Sequence, residues 1–176
     1  MANLPITIYG SPVLRQTAKP VPEITPEIRQ LAEDMAQTMF EAPGIGLAAP
    51  QVGKSLRMFI IDPSFGEEPD GSYVAFINPV LSNHGGDDPL IEEGCLSIPD
   101  IRADVIRPET VSVDYTTLDG ERAHIDADDL LSRVIQHEFD HLDGLMFVDR
   151  LTPLRRRSLD SELKAMARSQ KKNRLR

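Results

Sequence analysis

His137-Glu138-Phe139-Asp140-His141 sets two imidazoles four residues apart with a carboxylate beside the first. On a helix, residues four apart stand one turn above each other on one face. Both rings can then reach a single cation, with Glu138 next to it to carry protons. The chemistry open to such a trio is metal-assisted hydrolysis of an amide-type bond, with the cation polarising a carbonyl and activating water. The same face continues through Val134 and Leu130, so the histidines lie on a core-facing stripe that tolerates a neutral ligating group and not an unpaired charge. Two histidines that share a helix face and are satisfied by hydrogen bonds remain the competing reading of so short a pattern.

A catalytic cation of this kind takes three protein ligands and leaves a position for water. Downstream of His141 the segment Leu142 to Phe147 offers only Asp143, and no further histidine follows at metallopeptidase spacing. The candidate third ligand is Cys95, in Glu92-Glu93-Gly94-Cys95-Leu96-Ser97-Ile98-Pro99; a lone cysteine is also a common buried apolar residue. A third landmark is Gly44-Ile45-Gly46-Leu47-Ala48-Ala49-Pro50-Gln51-Val52-Gly53. Small residues at this density mean backbone passing close to something, either a bound chain or another element of the fold. No GxGxxG frame is met, which speaks against a phosphate cradle; Gln51 is a candidate neutral donor inside the segment.

These residues need elements to hold them. Thr25-Pro26 opens a helix on which Ile28, Leu31, Met35 and Met39 recur at helical spacing, and Pro43-Gly44 stops it. From Met58 to Tyr115 the texture changes to short apolar runs, Met58–Ile61, Val74–Ile77 and Val111–Val113, broken by Gly, Pro, Asn and Asp. Leu118-Asp119-Gly120 has the turn chemistry to join 111–115 to 122–125 as a hairpin. Asp126, Asp128 and Asp129 suit the start of a helix over about 127–142 that carries both histidines, and Gly144 suits its end. A last helical stretch is expected from Pro153 through Leu163 and Met166, fraying from Lys171 to Arg174. Helices that bracket strands without βαβ alternation predict an α+β fold: short antiparallel strands packed around a central motif-bearing helix, with an additional N-terminal and a C-terminal helix.

With 176 residues, one domain is expected over 1–153, followed by a basic C-terminal helix or tail over 154–176. The net charge of −9 is uneven: Leu154 to Arg176 carries nine Lys or Arg against two acids, and the body before it sums to −16. The acidic body speaks against a DNA-binding footprint, and any contact with RNA is expected from the tail. No run of roughly 18 apolar residues marks a membrane span, MANLPITIYG is no secretory leader, and one cysteine makes no internal disulfide, so a cytoplasmic protein is expected.

Taken together, GIGLAAPQVG at 44–53, EEGCLSIP at 92–99 and QHEFDHLDG at 136–144 closely resemble the signature of the peptide deformylase family, a likeness that runs from Val13-Leu14-Arg15 to about Pro153. The resemblance implies metal ligation by Cys95, His137 and His141 and general acid/base work by Glu138. It implies that Gln51 and the backbone N–H of Leu96 polarise a formyl oxygen, and that formate is released from the N-formylmethionine end of a new bacterial or organellar polypeptide. The substrate backbone is expected along Ile45, Gly46 and Gly94, with the methionine side chain among Ile45, Leu130, Val134 and the His137 ring. Arg133 is expected at the rim of that pocket, its stem packed and its head in water. Ligand type alone points to zinc; the resemblance implies Fe2+, with Zn2+, Ni2+ or Co2+ as surrogates. The basic tail resembles a C-terminal helix that docks on the ribosome, and a solvated end is the alternative. A metallopeptidase and a metal-stabilised binding module without turnover are the competing functions. Glu138 separates the latter, because a purely structural metal site has no use for it.

Overall fold

The structure, a computed structural model, describes residues 2–67 and 70–173. Met58-Phe59-Ile60-Ile61 forms β2 (Met58–Ile61), and all four residues are buried because both faces of its sheet are covered. Met58 and Ile60 face α1 (Pro26–Glu41), whose Ala32, Met35, Ala36 and Met39 form its buried stripe. Phe59 and Ile61 face the other way, into a cluster with Val134, Ile135 and Leu142 of α2 (Asp129–Leu142). The motif helix is thus packed across one face of the sheet and the N-terminal helix across the other.

That sheet is antiparallel throughout, in the order β1 (Gly46–Ala48), β2, β3 (Val74–Gly85), β6 (Thr110–Thr116), β7 (Arg122–Ala127). The expected hairpin is present, with Val113 opposite Ile125 and Tyr115 opposite Ala123. β3 runs well past the expected Val74–Ile77, since after an irregularity between Ile77 and Val80 it goes on pairing with β6. Between β3 and β6 the chain leaves the sheet for a separate hairpin, β4 (Leu90–Cys95) and β5 (Ile98–Ile106). β5 alternates: Ile101, Ala103 and Val105 point into a third cluster with Leu14, Phe147 and Leu163, while Arg102, Asp104 and Ile106 point out.

Two expected boundaries move. α2 begins at Asp129 rather than 127, because Asp126 and Ala127 are still paired with Ser112 and Val111 in the sheet. The Asp126 carboxylate accordingly accepts from Ser112 Oγ at 2.6 Å and does not cap the helix. The C-terminal stretch is two helices, α3 (Pro153–Ser158) and α4 (Asp160–Asn173), broken at Leu159. Leu159 and Leu163 are buried in the third cluster, so the start of this basic segment is packed on the body. Its last residues, 174–176, lie outside the described residues. The α+β architecture expected from the sequence is the one observed.

Candidate metal centre and active site

α2 brings His137 and His141 to one side, their ring centroids 5.2 Å apart and nearly perpendicular. Cys95 arrives from the β4–β5 hairpin, where the register slips between Gly94 and Cys95 as the chain turns. Its Sγ lies 3.3 Å from His141 Nε2, and Cys95, His137 and His141 each offer a ligand atom within 4.8 Å of the others. This is the only such group of three or more among the described residues. A thiolate and two imidazoles are a donor set suited to a transition-metal cation.

The hydrogen bonds around the trio also fit. His137 Nδ1 donates to Glu93 Oε2 at 2.9 Å, which fixes the tautomer and leaves Nε2 for ligation. Glu93 is buried, and its Oε1 also accepts from Arg107 Nε at 2.6 Å and Arg133 Nη1 at 2.7 Å, while Arg107 Nη2 reaches Oε2 at 3.0 Å. Burial alone would raise its pKa, but the bonds from His137 and Arg107 prevail and hold it well below the usual carboxylate range. His137 is held up the same way: burial disfavours its charge, and the neighbouring Cys95 and Glu93 outweigh that. Burial and the charge of His137 push His141 down.

Glu138 is buried beside the trio, and its Oε2 has no hydrogen-bond partner among the described residues. Burial is the main cause that pushes its pKa up to about 7, the range of a group that both takes and gives protons at neutral pH. Gly46 is what lets β1 pass so close. A Cβ there would sit 2.6 Å from Glu138 Oε1, so no other residue fits without moving the carboxylate. Gln51 is buried just after β1, on the short 3-10 turn Ala49–Val52. Its Oε1 accepts from the Ala48 N–H at 2.8 Å, which turns its amide nitrogen towards Ser97 Oγ at 3.3 Å and Cys95 Sγ at 3.5 Å.

A cleft of about 700 Å3 opens over these groups. It is lined by Ile45 and Gly46 at the start of β1, by Gly94, Cys95 and Leu96 of the β4–β5 hairpin, and by Leu130, Val134, His137 and Glu138 of α2. Gln51 also reaches it, while His141 lies buried behind. Every residue expected at the site is thereby in one place. Arg133 differs from expectation in its orientation. It borders the cleft, but its head is buried rather than in water, bonded to Glu93, to the Val105 carbonyl at 3.0 Å and to the Pro89 carbonyl at 2.8 Å. The cause is Glu93, a buried anion directly in reach of that position on the helix.

Sequence reasoning overlooked the groups behind the ligands: Glu93, Arg107, Asp140 and Arg150. A signal was present in Glu93 itself, an acid two residues from the candidate cysteine ligand, because ligating histidines need an acceptor for their second nitrogen.

The model of the family described as Polypeptide deformylase matches residues 3–157. The chain belongs to the polypeptide deformylase family. A peptide deformylase of Acidobacterium capsulatum is 48% identical over 165 residues, covering 94% of this chain and 96% of that protein. One of Brucella suis is 43% identical over 167 residues, 95% of each. Among solved structures, a peptide deformylase from Synechococcus elongatus in complex with actinonin superposes with a TM-score of 0.85 at 43% identity, covering 92% of this chain and 89% of that one. One from Legionella pneumophila does so with a TM-score of 0.84 at 34% identity over 99% of both. The family match ends inside α3, so α4 lies beyond it.

Proposed function

We propose that this chain removes the formyl group from the N-terminal formylmethionine of newly made polypeptides, releasing formate and a free amine. The observation that carries the reading is a buried carboxylate with one unpartnered oxygen, Glu138, beside three converging metal donors at an open cleft. Family membership supplies the bond that is cut.

Cys95, His137 and His141 would hold a divalent metal, which when bound supplies a Lewis acid and lowers the pKa of water. Glu138 takes a proton from the attacking water as its oxygen adds to the formyl carbon, and delivers it to the amine nitrogen as the C–N bond breaks. The Gln51 amide nitrogen, already aimed at Cys95, and the Leu96 N–H donate to the formyl oxygen as it gains charge. The substrate backbone lies extended between Ile45-Gly46 and Gly94. The methionine side chain fits against Ile45, Leu130 and Val134. Arg133 contributes its stem to that wall and braces Glu93 with its head.

The metal assigned in this reading is Fe2+, with Zn2+, Ni2+ or Co2+ as surrogates; the mixed thiolate and imidazole donors support any of these. The enzyme is assigned to the cytoplasm of a bacterium, supported by its bacterial relatives and by a single free cysteine. The catalytic domain is read as 1–153, and the basic segment after it as a ribosome contact. Because Leu159 and Leu163 are buried in the body, that contact is better tested by charge than by truncation. Changing the exposed Arg157, Arg168 and Lys171 to Gln should spare peptide hydrolysis and weaken ribosome co-sedimentation; unchanged co-sedimentation would remove the docking role. Formate release from a formyl-Met peptide, by protein prepared without oxygen, tests the reaction itself.

A further inference from the structure

Behind the ligands a file of charges runs from the cleft to solvent on the other side of α2. His137 Nδ1 bonds Glu93, Glu93 bonds Arg107 through two contacts, and Arg107 Nη1 bonds Asp140 Oδ2 at 2.8 Å. Asp140 is gripped in turn by Arg150, from Nη2 to Oδ1 at 2.6 Å and from Nε to Oδ2 at 3.1 Å. Arg107, Glu93 and Asp140 have side chains no more than 5% exposed, whereas that of Arg150 is 46% exposed. Arg150 borders no part of the active cleft; it lies on a second cavity of about 310 Å3 that Arg107 and Asp140 also line.

We propose that Arg150 is a positioning residue for the metal centre, acting through Asp140, Arg107 and Glu93 on the orientation of His137. This inference rests on the reading of Cys95, His137 and His141 as the metal ligands. Among the described residues Arg150 is the only donor to Asp140 Oδ1. Without it, that oxygen is left buried and unpaired, which is costly enough to turn the carboxylate. Asp140 can recover a partner by rotating onto Arg107 or towards the second cavity, where there is room to move. Either motion draws on Arg107 Nη1, and the same planar guanidinium presents the paired contacts that hold Glu93. Glu93 is in turn what sets the ring of His137. A side chain half in water is therefore coupled to a ligand through an unbroken file of charge-assisted bonds, and Asp149, which pairs with Arg15 and accepts from the Met146 N–H, anchors the turn carrying it.

The experiment uses the full chain loaded with zinc. Its readouts are the rate of metal loss to an excess of chelator and the NMR signal of the His137 Nδ1 proton. Arg150→Met keeps the stem and removes the charge; it should speed metal release about tenfold, the scale of losses behind metal ligands, shift the His137 signal, and lower kcat with KM unchanged. Arg150→Lys, which restores one bond to Asp140 and not two, should fall between. Wild-type release and an unmoved His137 signal in Arg150→Met would overturn the proposal, and so would wild-type release in Arg150→Lys were the Met variant not to fold. A Cys95→Ser chain that held zinc as firmly as the parent would remove the ligand assignment and the relay together. That outcome is distinct from an inert Arg150 in a site that does need Cys95.

Discussion

Glu93→Gln should destabilise this protein and loosen its metal, although nothing changes in size. The carboxylate accepts four hydrogen bonds from three side chains, two of them buried arginines and the third the part-buried His137. A glutamine with its carbonyl at the Oε1 position still accepts from Arg107 Nε and Arg133, but its NH2 then faces the N–H groups of Arg107 Nη2 and His137. Donors meet donors, Arg133 loses its buried counter-ion, and Arg107 is left with Asp140 alone. Removing one partner of a buried ion pair costs about 3–5 kcal/mol. Because His137 loses its acceptor, metal affinity should fall roughly 10- to 100-fold as well. Urea unfolding of parent and variant, metal-free and metal-loaded, measures the first, and competition with a chelator of known affinity the second. The pH dependence has a definite sign. The carboxyl is held below its ordinary 4.5, so the stability it contributes is fully present above that pH and is lost as the pH falls towards the lowered value. The gap between parent and variant should therefore narrow in acid. A variant within about 1 kcal/mol of the parent at pH 7, with equal metal affinity, would refute the reasoning, since that is the scale of an ordinary exposed pair.

Gly46→Ala puts a methyl group 2.6 Å from Glu138 Oε1 and must displace that carboxylate; formate release should fall on the order of 100-fold, and an undiminished rate would show that Glu138 does not need its place. Gln51→Ala removes a donor aimed at the developing charge and should lower kcat by about 100- to 1,000-fold, read in steady-state kinetics, with KM changing far less. In the metal-free protein, Glu138 is protonated up to about pH 7 when folded and to about 4.5 when unfolded. Its contribution is thus fully present below pH 4.5 and lost as the pH rises to 7, so Glu138→Gln should gain about 3 kcal/mol on the parent across that window in urea midpoints. A gap that does not grow with pH would contradict the buried, neutral carboxyl.

How much of this could be read in advance depends on how local each signal is. The placing of His137, Glu138 and His141 follows from the period of a helix, and the closeness of 44–53 to the site from its glycines, although only the structure shows Glu138 to be the group that Gly46 admits. The β4–β5 hairpin carries a weaker signal than its cysteine does: Ile101-Arg102-Ala103-Asp104-Val105 alternates as a half-buried strand should, amid Gly, Pro and Asp that read as loop. Glu93 and Arg133 were harder. They are forty residues apart, and an arginine on a helix face is ordinarily solvated, so only the packing of the hairpin across α2 reveals that the two neutralise each other. The same holds for Arg150 and Asp140, whose pairing depends on how the chain doubles back after α2.

In the proposed reaction Glu138 moves the proton at a metal held by Cys95, His137 and His141. The most direct test prepares the parent and Glu138→Ala without oxygen and measures formate from a formyl-Met peptide and bound metal on the same samples. One metal per chain in both proteins, and formate from the parent alone, are the expected results. A metal-loaded Glu138→Ala that releases formate at the parental rate would contradict the proposed role of Glu138.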